Sequence, residues 1–208
     1  MKVMNEFFEQ VKIGKVIPVI VFHSMDEVVP VMDALKEGGL KFAEITFRTE
    51  CAQEALRMAA EKYPDFWVGA GTVLNEVQAR QAVESGAKFI VGPGFSESVW
   101  KVCQEKGIPY LPGCVTPTEI MQALACGLTV LKFFPANIHG GMKAIKALSA
   151  VFPQVRFIPT GGVNAENMKE YLAFEKILAV GGSWMMQGSR EEIVRKTREC
   201  MEKAGKMR

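Results

Sequence analysis

The chain alternates short apolar runs with longer segments in which apolar residues recur at helical spacing. The runs are short and rich in β-branched or aromatic residues, which is typical of strands buried on both faces. There are eight of them at nearly even spacing: VIPVIVF from Val16, FAEITF from Phe42, FWVGAGT from Phe66, FIVGPG from Phe89, IPYLPG from Ile108, VLKFFP from Val130, VRFIPT from Val155 and ILAVGG from Ile177. The pattern predicts eight strands separated by helices.

The segments between the runs carry helix start and stop signals. Capping boxes are predicted at residues 24–27, 116–119 and 189–192, and Asn75 and Asn164 are further candidate N-caps. Stops are predicted at Gly38-Gly39, Gly86, Gly107 and Gly127, each just before a strand. Pro30 falls inside the helix that Ser24 would open, so that helix is expected to kink or to begin later. A short amphipathic helix is predicted before the first strand.

Repeated strand–helix units with right-handed crossovers form either a closed barrel or an open, doubly wound sheet. The count of eight and the even spacing favour the barrel. No linker or shift in composition divides the 208 residues. We therefore predict an α/β fold, a single-domain (β/α)8 TIM barrel over residues 1–208 with an extra N-terminal helix.

Composition and charge exclude several classes of protein. A net charge of +2 without a Lys/Arg cluster gives no basis for binding nucleic acid. No apolar run approaches the roughly 18 residues of a membrane helix, and the first residues do not resemble a signal peptide. Five scattered cysteines predict reduced thiols, and His23 and His139 are too isolated to predict a metal site. A cytoplasmic protein without bound metal is expected.

Charged residues occupy two of the predicted strands. Because side chains alternate along a strand, Lys132 in VLKFFP points into the barrel. The same alternation in FAEITFR puts Glu44 in the interior and Arg48 at the carboxyl end of its strand, where active sites of such barrels lie. A buried ion pair between Lys132 and Glu44 would explain the pattern structurally. Alternatively, a desolvated amine beside Phe134 is a nucleophile for a carbonyl, and a nearby carboxylate can transfer its protons.

Glycine pairs end the last two predicted strands. Gly161 and Gly162 follow the seventh, and Gly181 and Gly182 precede Ser183 at the end of the eighth. Such turns let backbone amides approach an anion, and this is the usual phosphate site of the architecture. The glycines could also simply make tight turns. Elsewhere on the same edge, the Thr72 hydroxyl could bind a carboxylate, and Pro93 stiffens a turn.

The motifs EITFRTE, VGAGTV, VGPG, LKFFPAN, PTGGV and VGGSW occur in this order between about Val16 and Trp184. Together they resemble the class I aldolase family that cleaves 2-keto-3-deoxy-6-phosphogluconate (KDPG), many members of which also act on 4-hydroxy-2-oxoglutarate (KHG). The resemblance implies a cytosolic, homotrimeric carbon–carbon lyase of the Entner–Doudoroff pathway that needs no metal or other cofactor. It also implies that the partner is a small phosphorylated 2-keto acid rather than nucleic acid or a membrane.

The resemblance also implies a role for individual residues. Lys132 would form the Schiff base and Glu44 would be the acid/base. The remaining positions would bind the substrate: Arg48 and Thr72 its carboxylate, Pro93 and Phe134 the region around the imine, and Gly161, Gly162 and Ser183 its phosphate. The competing hypotheses are a 2-keto-3-deoxy-6-phosphogalactonate aldolase, a metal-dependent aldolase, a phosphosugar epimerase or isomerase, and a sensor without turnover.

Overall fold

The computed structural model of the chain describes residues 2–205, with side chains from residue 4 onward. The ends of the predicted domain, residues 1 and 206–208, lie outside this range. Eight strands are found: β1 (Val16–Ile20), β2 (Phe42–Thr46), β3 (Trp67–Gly71), β4 (Ile90–Val91), β5 (Tyr110–Leu111), β6 (Val130–Phe133), β7 (Arg156–Pro159) and β8 (Val180–Gly182). They confirm the predicted α/β alternation.

The α-helices of residues 2–205 are α1 (Lys2–Gly14), α2 (Val28–Glu37), α3 (Ala52–Lys62), α4 (Glu76–Glu84), α5 (Glu97–Lys106), α6 (Pro117–Ala125), α7 (Gly141–Val151), α8 (Met168–Leu172) and α9 (Arg190–Gly205). Single 3-10 turns occur at Met25–Glu27 and Trp184–Met186. Among the helices described, none has both the length and the apolar character that crossing a membrane requires.

Every strand pair in the fold is parallel. Six strands form one curled sheet in the order β5-β4-β3-β2-β1-β8, and β6 pairs with β7. Isolated bridges join Gly113 to Lys132 between β5 and β6, and Thr160 to Gly181 between β7 and β8. Because the strands run parallel, their carboxyl ends meet at one edge, and the loops that follow them share that edge.

The two faces of the strands pack into different apolar clusters. One face, which includes Ala43 and Leu131, packs against the helices. The opposite face contributes Phe42 and Val130 to a second cluster together with α1. Within that second cluster, Phe7 of α1 is fully buried and its ring lies 6.0 Å from that of Phe42. This second face, which contacts α1 and is called the inner face below, is therefore apolar at the amino ends of the strands.

Several strands are shorter than the apolar runs that predicted them. β8 begins at Val180 rather than Ile177, which makes only an isolated bridge to Phe157. β1 ends at Ile20 although the apolar run continues to Phe22. The excess residues are nevertheless buried, except Val21, which is half-buried. Burial outside the hydrogen-bonded ladder explains the difference, since packing alone keeps a residue apolar.

Two of the three predicted capping boxes are confirmed. In α6, the Thr116 hydroxyl accepts from the Glu119 amide and the Glu119 carboxylate accepts from the Thr116 amide. At α9, the Ser189 hydroxyl accepts from the Glu192 amide, and the Glu192 carboxylate accepts from the Ser189 amide in return. Asn75 caps α4 as predicted, since its side chain accepts from the Gln78 amide.

The predicted box at residues 24–27 is wrong. The Ser24 side chain makes no capping hydrogen bond, and the Glu27 carboxylate accepts instead from the His23 amide at 2.8 Å. The 3-10 turn intervenes, and α2 begins only at Val28. Pro30 thus lies in the first turn, where the missing N–H has no partner within the helix to lose.

The Asn164 cap is displaced in a similar way. Its side-chain oxygen accepts from the amides of Glu166 and Asn167, within the turn before α8. The helix itself begins at Met168. The side chain of Asn164 therefore organises the turn after β7 rather than the helix N-terminus.

Candidate active site

A lysine and a glutamate from different strands meet at the carboxyl end of the inner face. The Lys132 ammonium donates to the Glu44 carboxylate, with Nζ and Oε1 3.0 Å apart. Both residues are buried, at 5% and 3% exposure. Lys132 lies on the same face of β6 as Val130, and Glu44 lies on the same face of β2 as Phe42. The predicted orientation of both side chains is therefore confirmed. The pair satisfies two charges that burial alone would penalise by several kcal/mol.

Arg48 lies two residues beyond the end of β2 and reaches the end of β3. Its guanidinium Nε donates to the Thr72 hydroxyl at 3.0 Å. Thr72 has a φ of +59°, which is a genuine outlier for a β-branched residue and stores backbone strain. The sequence prediction that both residues lie at this edge is confirmed, and the contact turns the Thr72 hydroxyl toward the arginine.

A cavity of about 240 Å³ opens at this edge of the sheet. Six of the predicted site residues line it, and these are Arg48, Lys132, Phe134, Gly161, Gly162 and Ser183. Glu44 and Thr72 stand behind this lining, each bonded to a residue that belongs to it. The Lys132 Nζ lies 5.2 Å from the centroid of the Phe134 ring, within cation–π range. One wall of the cavity is thus cationic and aromatic.

The opposite wall contains the predicted glycine turn. Gly161 and Gly162 have φ values of +89° and +76°, a region that favours glycine. Their carbonyls are engaged: Gly161 accepts from the Asn137 amide, and Gly162 accepts from the Asn167 side chain. Ser183 follows β8 and is exposed beside them. With the carbonyls held outward in this way, the turn is built to present amides to an anion.

Pro93 is placed differently from the other predicted residues. It follows β4, is only half-buried and does not belong to the lining of the cavity. Its carbonyl instead lies so close to Gly113 that a β-carbon there would overlap it. The Gly113 amide also donates to Gly92 at 3.1 Å. The backbone of Pro93 therefore lies against the turn after β5, where Gly113 makes a bridge to Lys132.

Sequence reasoning missed several residues of the cavity. Thr160 is a buried hydroxyl residue on the lining, and Trp184 and Gln187 extend the wall beyond Ser183. Thr160 and Trp184 stand inside motifs already singled out, PTGGV and VGGSW, so neighbouring positions in those motifs were the available signal. Nothing in the sequence marks Gln187, because its position depends on the path of the loop after β8.

A cysteine lies beside the backbone of Lys132. The Cys114 amide donates to the Lys132 carbonyl at 2.9 Å, and burial raises the pKa of the Cys114 thiol to about 12. It is therefore protonated at neutral pH. Over the residues with described side chains, no three His, Cys, Asp or Glu residues group as metal ligands.

A parallel α/β fold whose strand ends carry a buried lysine–glutamate pair on a cavity is the arrangement that an imine-forming, class I aldolase requires. An amine in this position could attack a carbonyl, and the carboxylate is within proton-transfer distance of it. Comparison with known proteins identifies the family. The family model for KDPG and KHG aldolase matches residues 8–199, and the chain belongs to this family.

Individual relatives agree with this assignment. The KHG/KDPG aldolase of Escherichia coli (strain K12) is 43% identical over 197 residues, covering 92% of each chain. The KDPG aldolase of Zymomonas mobilis ZM4, solved with 3-phosphoglycerate, is 37% identical with a TM-score of 0.90, covering 95% of this chain and 96% of that one. The KDPG aldolase of Legionella pneumophila, solved with pyruvate captured as a covalent carbinolamine, is 36% identical with a TM-score of 0.86, covering 96% and 97%.

Proposed function

We propose that this enzyme cleaves 2-keto-3-deoxy-6-phosphogluconate to pyruvate and glyceraldehyde 3-phosphate through a Schiff base on Lys132. The observation that carries the proposal is the buried contact of 3.0 Å between Lys132 and Glu44 on the cavity. The family and its named members support the substrate class. The same chemistry extends to 4-hydroxy-2-oxoglutarate, which would give pyruvate and glyoxylate.

The reaction begins with attack of the neutral Lys132 amine on the C2 ketone. The proton that Lys132 holds in the resting pair passes to Glu44, and addition gives a carbinolamine. Loss of its hydroxyl as water, with a proton returned by Glu44, gives an iminium ion. A carboxylate at hydrogen-bond distance from the amine is placed for both transfers. The captured carbinolamine of the Legionella pneumophila relative is the corresponding species in that protein.

Carbon–carbon cleavage then uses the iminium as an electron sink. Glu44, directly or through one water, takes the proton of the C4 hydroxyl. The C3–C4 electron pair moves toward the iminium nitrogen as the aldehyde forms, which leaves an enamine on Lys132. Glu44 returns the proton to C3, and water hydrolyses the resulting iminium to release pyruvate and restore the Lys132 ammonium beside the Glu44 carboxylate. Protons and electrons balance without an external oxidant or reductant.

The remaining site residues are assigned as binding groups. Arg48, already bonded to Thr72, would hold the carboxylate of the pyruvyl half, since a guanidinium matches the geometry of a carboxylate. Phe134 would pack beside the imine, and Pro93 would shape this region through the turn after β4. These assignments rest on the position of the side chains at the strand ends.

The phosphate of the substrate would bind at the opposite wall. Gly161, Gly162 and Ser183 lie there, after β7 and β8, which is the usual phosphate position in this architecture. The Zymomonas mobilis relative was solved with 3-phosphoglycerate, a phosphorylated carboxylate of similar chemistry. The distance between the cationic wall and the glycine turn then sets the length of substrate that fits.

The finer features of the fold are part of the same proposal. We infer a closed eight-stranded barrel formed as one domain, supported by the bridges between β5 and β6 and between β7 and β8. The extra helix α1 would plug the amino end, supported by the ring of Phe7 at 5.0 Å from that of Phe89. A cytoplasmic homotrimer without metal or other cofactor is proposed from the family resemblance alone.

A turnover assay tests the proposed reaction. The purified enzyme is given KDPG, its galactonate epimer or KHG, and pyruvate is measured continuously with an NADH-linked reductase. We expect KDPG to give the highest kcat/KM, with turnover unchanged by a chelator. Loss of turnover in chelator would favour a metal-dependent aldolase. Preference for the galactonate epimer would favour a 2-keto-3-deoxy-6-phosphogalactonate aldolase. Interconversion of sugar phosphates without pyruvate would favour an epimerase or isomerase, and ligand binding without any turnover a sensor.

A further inference from the structure

The loop that follows β8, residues 183–188, forms the far wall of the cavity. Ser183, Trp184 and Gln187 of this β8 loop line the cavity, and Gly188 ends the loop with a φ of +99°. Within the loop, the Met186 amide donates to the Ser183 carbonyl at 3.0 Å. The wall that would receive the phosphate end of the substrate therefore depends on how a short exposed loop is held.

The first tether of the β8 loop is a buried thiol. The indole N–H of Trp184 donates to Cys200 Sγ of α9, with the heavy atoms 3.2 Å apart. Cys200 is 1% exposed, and burial raises the pKa of its thiol, so the sulfur stays a neutral acceptor. The Trp184 ring in turn covers Gly182, where a β-carbon would overlap the ring. The tether thereby fixes the ring that forms part of the wall.

The second tether lies one helical turn away on the same helix. Lys196 Nζ donates to the Gln187 carbonyl at 2.7 Å. Residues 196 and 200 are four apart on α9, so they lie on the same face of the helix. Their hydrogen bonds hold the two ends of residues 184–187. Helix α9 packs against α2, and Arg190 and Arg198 both donate to the Glu37 carboxylate across that contact. A packed helix thus supports the loop from behind.

We propose that Lys196 and Cys200 are positioning residues that set the preference of the enzyme for phosphorylated over unphosphorylated 2-keto acids. This rests on the proposed function and deepens it. Neither residue lines the cavity, and both act through Trp184 and Gln187. The imine end of the site is built on β2, β3 and β6, away from α9, so loosening the β8 loop alters phosphate binding and leaves carbon–carbon cleavage intact.

Kinetics with two substrates separate this role from a general structural one. Lys196→Met and Cys200→Ala each remove one tether, while Lys196→Arg and Cys200→Ser keep a donor or an acceptor. We expect each tether removed to raise KM for KDPG about fivefold, the effect of losing one hydrogen bond. For KHG, which has no phosphate, kcat/KM should stay within about twofold of wild type. Arg195→Met is the matched control, since Arg195 on the same helix pairs only with Glu199 among the described ion pairs.

Each outcome decides the inference. The inference is supported if Lys196→Met and Cys200→Ala raise KM for KDPG selectively, and Lys196→Arg and Cys200→Ser keep the wild-type KM. Equal losses with KDPG and KHG would overturn it and indicate a merely structural role, as would unchanged KM in both tether variants. Pyruvate trapping on Lys132 in wild type and variants checks the proposed function separately. Trapping that succeeds while selectivity stays unchanged contradicts only the inference, whereas failure of trapping in the wild type contradicts the proposed function.

Discussion

The backbone of Gly71 lies against the side chain of Glu44, so close that a β-carbon at residue 71 would be 2.7 Å from the Glu44 Cγ. The two residues are neighbours across β2 and β3, where Glu44 pairs in register with Gly69 and Thr46 pairs with Gly71. Because residue 71 has no β-carbon, the Glu44 side chain has the space it needs to reach Lys132. Gly71, the last strand residue of the VGAGT motif, thus makes room for the lysine–glutamate pair, and the neighbouring Thr72 accepts a hydrogen bond from Arg48.

Gly71→Ala should displace the Glu44 carboxylate. A shift of about 1 Å near the reacting atoms costs on the order of 100-fold in rate, so we expect a fall in kcat of that order. The measurement is pyruvate release at saturating KDPG. Gly205→Ala is the control, because a β-carbon at residue 205 meets no atom of residues 2–205 within 4 Å. A Gly71→Ala enzyme with wild-type kcat would show that the position of the Glu44 carboxylate is not critical.

Glu44→Gln keeps the shape of the side chain but removes its capacity to take a proton. General acid–base catalysis contributes roughly 100- to 10,000-fold, so kcat should fall within that range while KM changes little. The buried Lys132 ammonium also loses its counter-charge, and removing one partner of a buried pair destabilises a protein by about 3–5 kcal/mol, less here because the amide oxygen still accepts. Steady-state kinetics and thermal unfolding measure the two effects.

The matched control for this variant is Glu54→Gln. Glu54 is exposed and pairs with Arg57 on its own helix, where such ion pairs contribute little. Neither kcat nor the melting temperature should change measurably. The assignment of Glu44 would be wrong if Glu44→Gln retained more than about a third of the wild-type kcat. Such a loss would be far smaller than the one expected on removing an acid–base group.

Arg48→Met should weaken binding of the pyruvyl carboxylate. A hydrogen bond to a charged group contributes about 1.5–3 kcal/mol, which corresponds to a rise in KM of roughly 10- to 100-fold. Methionine retains part of the aliphatic packing, and Thr72 loses its donor. Competitive inhibition by pyruvate should weaken by a similar factor. Arg57→Met, on an exposed face of α3, is the control, and an unchanged pyruvate inhibition constant in Arg48→Met would contradict the assignment.

Glu119→Gln tests the loop that leads from β5 past Lys132 into α6. Burial alone would raise the pKa of Glu119, but hydrogen bonds from the Val115 amide and from the Thr116 hydroxyl and amide outweigh it and hold the pKa below its ordinary value. A lowered folded-state pKa contributes stability that is present above the unfolded value of about 4.3 and is lost as pH falls through the folded value.

At pH 7 the Glu119→Gln enzyme should therefore be less stable than wild type by about 1 kcal/mol, the usual effect of losing a cap. The difference should shrink below about pH 4, as the wild-type carboxylate takes up its proton. Urea unfolding across this pH range measures it, with the exposed Glu61→Gln as control. A difference that grows on acidification would have the wrong sign and would contradict the capping account.

Strand alternation was sufficient to predict the centre of the site. Period-two patterning fixes which face each residue of a strand occupies, so Lys132 and Glu44 could be placed together from local sequence alone. The Thr116 and Ser189 capping boxes were predictable for the same reason, because a cap depends only on residues within one turn. Both features are encoded within a few residues of sequence.

Long-range proximity explains what the sequence did not reveal. The role of Gly71 depends on the close approach of β3 to the Glu44 side chain, and the tether from Trp184 to Cys200 joins residues 16 positions apart. The Ser24 cap failed because the Glu27 carboxylate found a competing donor, the His23 amide, one residue earlier. The contacts of Gly71 and Trp184 are decided by three-dimensional packing, which no short window of sequence contains, whereas the Ser24 error arose from a contact between residues only four apart.

Borohydride trapping with pyruvate tests whether Lys132 forms the proposed Schiff base. The enzyme is incubated with pyruvate and reduced with borohydride, and the product is analysed by intact mass and peptide mapping, with Lys132→Ala treated in parallel. We predict one reduced pyruvyl adduct per chain, located on Lys132, and no adduct in Lys132→Ala. Absence of an adduct from the wild type, or an adduct spread over surface lysines, would contradict the Schiff-base mechanism.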